Sequence, residues 1–254
     1  MKARIVTPEI LDGLPNSDPS AQRSRRDLRR IHRAMGSGRL IAGTLRATKL
    51  ASRDSATLRI LEIGAGDGHL MLDVARRLHP QWPRVELTLL DRLDLVDRST
   101  LSAYASLGWT TQPLVADVLD WAAEMAAKPL RDAAGHWDLV IANLFLHHFK
   151  AVPLSALLAA IETCTTCFVA YEPRRSWVAQ AGSHLVGAIG ANAVTRTDAI
   201  LSVAAGFRDS EIGELWPTHP DRWALTEYAA GPFSHCFVAE RIPGPPPAHH
   251  ATLI

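Results

Sequence analysis

Three alternating glycines between a buried strand and an amphipathic helix are the feature that most constrains this chain. In the segment LRILEIGAGDGHL, residues 58–70, a continuous apolar run leads into Gly64, Gly66 and Gly68. Glycine permits positive φ and lets a ligand approach the backbone, and the free N–H groups that open the next helix add hydrogen-bond donors. The segment therefore predicts a strand, a ligand-binding turn and a helix in direct succession.

From Leu58 onward, short apolar runs alternate with helical patterns, which is typical of a parallel sheet covered by helices. We predict strands at residues 58–63, 85–90, 112–116, 137–142, 167–171, 210–216 and 234–242. We predict helices between them at residues 69–78, 97–106, 118–127, 153–163 and 197–205. The last run follows Gly231-Pro232, a turn signal, so it is expected to pair antiparallel. The predicted fold class is α/β with a doubly wound, mostly parallel sheet.

The N-terminal region differs from the rest in charge. Residues 1–53 carry 12 of the 27 Lys and Arg but 4 of the 26 Asp and Glu. Residues 1–20 are predicted to be an irregular arm, and residues 21–35 and 38–50 two helices broken at Gly36-Ser37-Gly38. Most of the basic excess lies in residues 22–33. This stretch is either a solvated helical face, with Leu28 and Ile31 as its apolar stripe, or a basic lid for an anionic ligand or partner.

These observations predict one main domain with a helical extension. We expect an N-terminal arm and helical lid at residues 1–53, the main domain at residues 54–242, and a Pro-rich, disordered tail at residues 243–254. No apolar run approaches the ~20 residues that span a bilayer, and the N-terminus lacks the apolar stretch of a secretory signal. Three cysteines do not make a disulfide framework, so a cytoplasmic setting is expected.

The ligand of the glycine turn can be narrowed by elimination. A phosphate-binding P-loop would end in Gly-Lys-Ser/Thr, and a dinucleotide loop would have a third glycine where His69 stands. What remains is Glu62-x-Gly-x-Gly-x-Gly, which suits a ligand with a cationic amino-acid portion. Asp91 ends the second strand, where an acid accepts both hydroxyls of a ribose, unless it caps a loop. Asp117 follows the third run. It could cap the next helix, bind an adenine amino group, or do both.

The motifs EIGAGDG, LLD, ADV and WDLVIANLFLHHF, in this order, resemble those of the class I S-adenosylmethionine-dependent methyltransferases. The resemblance covers residues 58–242 and implies a Rossmann-like, seven-stranded sheet with a reversed last hairpin. It also implies S-adenosylmethionine as cofactor, lying across the carboxyl ends of the strands. The N-terminal helices resemble the lid of small-molecule members. Members that methylate amino groups of nucleic acids carry Asn/Asp-Pro-Pro-aromatic after the fourth strand, where this chain has Asn143-Leu144-Phe145-Leu146.

The resemblance also implies which residues hold the cofactor. The methionine portion would be held by Glu62, Gly64, Ala65, Gly66 and Gly68. Asp91 would bind the ribose, and Arg92 would flank the adenine. The remaining contacts would come from Asp117 and Val118 at the adenine, and from Asn143 and Leu144 beside the fourth strand.

Methyl transfer from a sulfonium needs a base only where the acceptor loses a proton. His147 and His148 follow the fourth strand, and either is a candidate base, although a packed or solvated pair is an equal alternative. Glu172, after the fifth strand, could orient a histidine or accept a proton, or belong to a surface ion cluster. No carboxylate or cysteine close in the sequence completes a metal set with the histidines, so no metal is predicted.

We therefore expect a methyltransferase that acts on a small metabolite, with a phenolic or polyketide-like hydroxyl as the favoured acceptor. The expected partner is the small-molecule acceptor, without membrane or nucleic acid, and the oligomeric state stays open. An RNA or protein methyltransferase that docks through the Arg-rich helix is one alternative. A cofactor-binding module without catalysis is the other.

Overall fold

Seven strands form a single mixed sheet in the computed structural model, which describes residues 3–52, 57–79, 81–82, 84–127, 137–217 and 221–242. Their order across the sheet is β3-β2-β1-β4-β5-β7-β6. The strands are β1 (Leu58–Ile63), β2 (Val85–Asp91), β3 (Trp109–Val115), β4 (Leu139–Asn143), β5 (Cys167–Pro173), β6 (Trp223–Ala230) and β7 (Ser234–Arg241). Strands β1 to β5 are parallel, and β7 is antiparallel to both β5 and β6. The predicted Rossmann-like α/β fold class with a reversed hairpin is confirmed.

Helices cover both faces of the sheet and also extend the chain at its N-terminus. They are α1 (Ile10–Gly13), α2 (Pro19–Met35), α3 (Ser37–Ala47), α4 (His69–Leu78), α5 (Arg98–Ala105), α6 (Val118–Ala127), α7 (Ala151–Cys164), α8 (Trp177–Leu185) and α9 (Ala193–Ala205). Gly36, at φ 67°, ends α2 and begins α3, as the predicted helix break requires. None of the helices in the described ranges is long and apolar enough to cross a membrane. The tail at residues 243–254 lies outside the described residues.

The predicted sixth strand at residues 210–216 is wrong. This segment forms turns, and the strand that completes the sheet is β6, further along the chain. Ile212 and Trp216 are both buried, and their spacing of four residues suits a helical turn better than a strand. Most side chains of β6 are exposed, because β6 is an edge strand of the sheet. An exposed edge strand leaves a weak apolar pattern, whereas the buried turn leaves a strong one.

The core lies in two layers, one on each face of the sheet. One layer packs α3, α4 and α5 on the sheet, with Ile41, Met71 and Tyr104 among its buried residues. The other packs α6 and α7, with Trp121 and Leu157. The parallel strands reverse their order between β1 and β4. Ligands bind at the carboxyl ends of the strands beside such a reversal, so the loops after β1 and β4 are expected to form the site.

Candidate active site

The glycine turn after β1 needs three positive φ angles. Gly64, Gly66 and Gly68 have φ values of 68°, 56° and 73°, a region that L-residues with a Cβ adopt at a cost. At Gly64 an added Cβ would lie 2.2 Å from the ring of Phe145, whereas at Gly66 it would meet no atom within 4 Å. The backbone at Gly66 therefore faces open space, and a side chain there would fill that space.

Hydrogen bonds hold the turn against the carboxyl end of β2. The Ala65 N–H donates to the Leu90 carbonyl at 3.0 Å. The Gly66 N–H donates to one carboxylate oxygen of Asp91 at 2.8 Å, and the Leu93 N–H donates to the other at 3.0 Å. Asp91 thus faces the glycine turn at the end of the neighbouring strand and also caps the loop that follows β2; its binding of a ribose stays a prediction.

Glu62 is the second-last residue of β1 and is buried, with 4% of its surface exposed. Its Oε2 atom has no hydrogen-bond partner among the described residues. Burial, and then the negative charges of Asp67 and Asp91, raise the pKa of Glu62 well above its usual value. A buried carboxyl group without a partner favours a cation or a hydrogen-bond donor beside it.

These features fit S-adenosylmethionine, the cofactor that the resemblance implies. The open space at Gly66 accommodates a ligand against the backbone, and the unpartnered oxygen of Glu62 suits the ammonium group of a methionine portion. Asp91 is close enough to the turn to bond its backbone, so one ligand can reach both residues. The residues present can therefore hold a positively charged nucleoside of this kind.

Three further residues predicted to bind the cofactor, Arg92, Asp117 and Val118, make contacts within the chain. Arg92 donates to the carbonyl of Asp12, in the N-terminal arm. Asp117 accepts the N–H of Leu119 at 2.7 Å and so caps α6, while Val118 is buried. The capping interpretation of Asp117 is thus confirmed, and its predicted contact to adenine stays open. The adenine contact of Arg92 also stays a prediction.

The end of β4 is bent by one residue in a left-handed conformation. Asn143 is half-buried at the last position of the strand. Leu144 follows with φ 48°, which is strained for a residue with a branched side chain. Its N–H donates to the carbonyl of Tyr171 at 2.8 Å. This conformation directs the chain after β4 towards the glycine turn, where Phe145 packs on Gly64.

Glu172, at the end of β5, holds the loop after β4. It accepts the backbone N–H groups of Phe145, Leu146 and His147 at 2.9 to 3.2 Å. It also accepts a hydrogen bond from Nδ1 of His147 at 2.8 Å. Glu172 is completely buried, so these four donors offset the cost of burying its charge.

Each ring nitrogen of His147 faces a carboxylate. Nδ1 bonds Glu172, and Nε2 lies 3.2 Å from Oε1 of Glu9, in the N-terminal arm. Burial of His147 disfavours its charged form, but the hydrogen bonds to the two carboxylates raise its pKa to about 9. Burial likewise raises the pKa of Glu9, yet the bond to His147 and its charge lower that pKa overall. His148 is partly exposed and pairs with Asp12 at 3.1 Å.

The N-terminal arm, residues 3–13, is fixed by polar contacts that sequence reasoning did not find. Arg4 donates to the carbonyls of Ala205, Leu146, His147 and Phe149 at 2.7 to 3.3 Å. These contacts join residues more than 140 positions apart, and no local pattern indicates such pairs.

Asp198, on α9, provides a second anchor for the arm. It accepts the N–H groups of Ile10 and Leu11 at 2.8 and 3.0 Å. Because these groups open α1, Asp198 supplies the cap that the short helix lacks in its own sequence. The side chain of Ser202, one turn later on α9, bonds Glu9.

The Arg-rich helix α2 lies over the same edge of the sheet. Arg29 lies 2.9 Å from Asp67 of the glycine turn. Asp27 is buried and accepts the N–H of Asn192 at 2.9 Å, which joins α2 to the start of α9. The helix therefore contacts both the glycine turn and α9, as a lid over this edge would.

An apolar cavity of about 320 Å³ lies beneath this lid. Its walls come from α2, from α8 and the turn after it, from α9, and from the ends of β4 and β5. They include the two apolar residues predicted as the stripe of α2, Leu28 and Ile31, together with Leu144 and Pro173. Leu144 is adjacent in the chain to Phe145, which contacts the glycine turn. The cavity therefore adjoins the turn through this pair of residues.

None of the three predicted acid–base residues is among the described residues that line this cavity. Glu172 and His147 are buried, and His148 pairs with Asp12. The acidic groups that line the cavity are Glu9 and Asp198. Catalytic roles for His147, His148 and Glu172 stay predictions, and their contacts favour a part in holding the loop after β4.

Comparison with known proteins gives a family match over more than half of the chain. The model of a family described as lysine methyltransferase matches residues 37–181. That range begins at α3 and ends within α8, so it contains the glycine turn, Asp91 and the loop after β4. Among curated proteins, no match is found.

Solved structures of three methyltransferases share the fold. The plantazolicin methyltransferase BpumL, in complex with SAH, aligns with a TM-score of 0.60 at 14% identity, over 88% of this chain and 91% of its own. Magnesium protoporphyrin IX methyltransferase from Synechocystis PCC 6803, with bound SAM, aligns at 0.50 and 11% identity, over 92% and 88%. The mitomycin 7-O-methyltransferase MmcR aligns at 0.52 and 20% identity, over 91% and 60%.

Proposed function

The chain belongs to the family of class I S-adenosylmethionine-dependent methyltransferases described as lysine methyltransferase, and we propose that its acceptor is a small, partly apolar metabolite methylated on oxygen. The proposal concerns the acceptor, because methyl transfer from S-adenosylmethionine follows from the family. The observation that carries it is the apolar cavity beneath the N-terminal lid.

The donor side is assigned to the glycine turn and its neighbours. Glu62, Gly66 and Asp91 would hold the cofactor, with Gly64, Ala65 and Gly68 shaping the turn. When bound, S-adenosylmethionine supplies an activated methyl group on a sulfonium. The protein then has to place an acceptor atom in line with that group and exclude water.

The cavity supports a small acceptor through its size and its lining. A volume of about 320 Å³ lies at the lower end of the range for small-molecule sites, which are mostly apolar with a few polar groups. Here Glu9 and Ser202, which bond each other, form a polar end. An aromatic or polyketide-like body would pack against Leu28 and Ile31, and its hydroxyl would hydrogen-bond at that polar end.

We assign His147 and Glu172 to positioning and not to proton transfer. Both ring nitrogens of His147 already face carboxylates, so the ring has no free position for an acceptor proton. Glu172 accepts four hydrogen bonds from the loop after β4. Together they fix Leu144 and Phe145, the residues between the cavity and the glycine turn. His148 remains the candidate of the three with an exposed edge.

The Arg-rich helix gives little support for docking to RNA, because much of its charge has partners within the chain. Arg29 pairs with Asp67, and Arg30 pairs with Asp27. Arg25 donates to the side chain of Asn16. An arm that binds phosphates would keep such groups available.

A lysine side chain is the second candidate acceptor. The description of the family names lysine, and two carboxylates, Glu9 and Asp198, line the cavity. Both carboxylates, however, already have partners in the arm and α9.

The test combines an acceptor panel with a variant that fills the cavity. Purified protein is incubated with methyl-labelled S-adenosylmethionine and phenols, polyketide-like hydroxyl compounds or a lysine-bearing peptide. Ala199 lines the cavity, and A199F should raise the KM of the accepted compound by at least about tenfold while cofactor affinity stays within about twofold.

Ala193, on the same helix, is exposed and does not line the cavity, so A193F is the matched control and should leave KM unchanged. Efficient methylation of the peptide, with A199F as active as the wild type, would reject a small acceptor in the cavity.

A further inference from the structure

Three potential metal ligands meet beneath the N-terminal arm. One nitrogen each of His147 and His148 and one carboxylate oxygen of Glu9 all lie within 4.8 Å of one another. Glu9 comes from the arm, and the histidines come from the turn after β4. The carboxylate that the sequence did not place near the histidine pair is thus provided by the fold, across 138 residues.

The surroundings of the cluster resemble those of a metal-binding histidine. Nδ1 of His147 bonds the buried Glu172 at 2.8 Å, which leaves Nε2 directed at Glu9 and fixes the ring orientation. A histidine that ligates a metal usually makes such a bond through its other nitrogen. Asp12, also in the arm, lies 3.1 Å from Nδ1 of His148 and can orient that ring as an outer partner.

We propose that Glu9, His147 and His148 form a binding site for a first-row divalent transition metal ion. Two imidazoles with carboxylate oxygens are typical donors for Zn²⁺ and similar ions, whereas Mg²⁺ and Ca²⁺ prefer oxygen ligands throughout. The ion would replace the hydrogen bond between Nε2 of His147 and Glu9. The prediction of no metal, made from the sequence, is revised accordingly.

Such an ion would join the arm to the core next to the cavity. Glu9 lines the cavity, and the two histidines directly follow the loop that contacts the glycine turn. Occupation of the site would therefore hold residues 3–13 closed over the carboxyl edge of the sheet. The proposal does not depend on which acceptor is methylated, because it concerns binding of an ion and order in the arm.

The experiment measures Zn²⁺ binding by calorimetry with metal-free full-length protein. The sequence has His249-His250 near its C-terminus, so H249Q/H250Q is the background for all variants. We expect one Zn²⁺ per chain on this background. E9Q and H148Q each remove a proposed ligand and should weaken binding by at least about tenfold, because even the loss of an outer partner of a ligand costs that much. H184Q, which removes an exposed histidine of α8, should leave the affinity unchanged.

Two further readouts report on the site without methyl transfer. Bound Co²⁺ should give visible ligand-field absorption in the background protein that E9Q and H148Q both lose, while far-ultraviolet circular dichroism confirms that the variants are folded. Zn²⁺ should slow amide exchange in residues 3–13. The proposal is overturned if no binding occurs at about 100 µM metal and protein, or if E9Q and H148Q bind as the background does. It is also overturned if Zn²⁺ leaves exchange in the arm unaltered.

Discussion

Substitution of Gly66 by alanine separates the ligand-binding role of the glycine turn from its backbone strain. Gly66 has φ 56°, and an added Cβ would meet no protein atom within 4 Å. The cost to folding is therefore the left-handed conformation alone, roughly 1–2 kcal/mol. A domain of ordinary stability, about 5–15 kcal/mol, stays folded after such a loss. The methyl group would, however, occupy the space in which we place the cofactor.

The matched control is Gly231, in the turn between β6 and β7. It has φ 81°, and its added Cβ would also meet no atom within 4 Å. G231A should therefore cost about the same 1–2 kcal/mol of stability. Because this hairpin is far from the glycine turn in the sheet order, cofactor affinity should not change.

The assay pairs urea unfolding with calorimetric titration of SAM and SAH. We expect both variants to lose similar stability, and G66A alone to lose at least about tenfold in affinity, equivalent to about 1.4 kcal/mol. A folded G66A protein that binds SAH within about twofold of the wild type would show that the ligand does not approach the backbone at this position. The assignment of the donor site would then be wrong.

Three other predictions concern the buried acid and the lid. Burial raises the pKa of Glu62, so the cofactor-free wild type should lose stability as the pH rises above the ordinary carboxyl pKa, by up to about 1.4 kcal/mol per pH unit. Thermal melts at several pH values should show a flatter slope for E62Q, which should also bind the cofactor more weakly. R4A removes the hydrogen bonds that Arg4 donates to four backbone carbonyls and should cost roughly 2 kcal/mol. The arm should then be cleaved faster by a protease, and wild-type proteolysis rates would contradict this. The ion pair of Arg29 and Asp67 is partly exposed, so R29A should cost under about 1 kcal/mol but speed amide exchange in α2.

The central strands were predictable because both of their faces are buried. β1 and β2 are mostly apolar and mostly buried, and the glycine turn between β1 and α4 is a local signal that needs no tertiary information. β6, by contrast, is held in the sheet by pairing with β7, and because its side chains are mostly exposed its sequence has no strong apolar pattern. An element is therefore easier to predict from the sequence when more of its stabilisation comes from local interactions.

The same reason explains why the residues of the proposed donor side could be named from the sequence, whereas those of the proposed acceptor side could not. Glu62, Gly66 and Asp91 lie at strand ends whose positions the fold class fixes. Glu9 contacts His147 across 138 residues of sequence, and Asp198 contacts Ile10 across 188. The sequence identifies the pair of histidines, but it does not indicate which carboxylates bond them.

These long-range contacts pair charged residues of the N-terminal region with charged residues of the main domain. The N-terminal region is basic in total, yet two of its acids also bind the core: Glu9 contacts His147, and Asp12 contacts Arg92 and His148. In the opposite direction, Arg29 of the basic helix contacts Asp67. Attraction between a basic lid and an acidic core alone would be screened by salt and would select no single position. Paired contacts of both signs, several of them half-buried, define one closed position, which a site for a small acceptor requires.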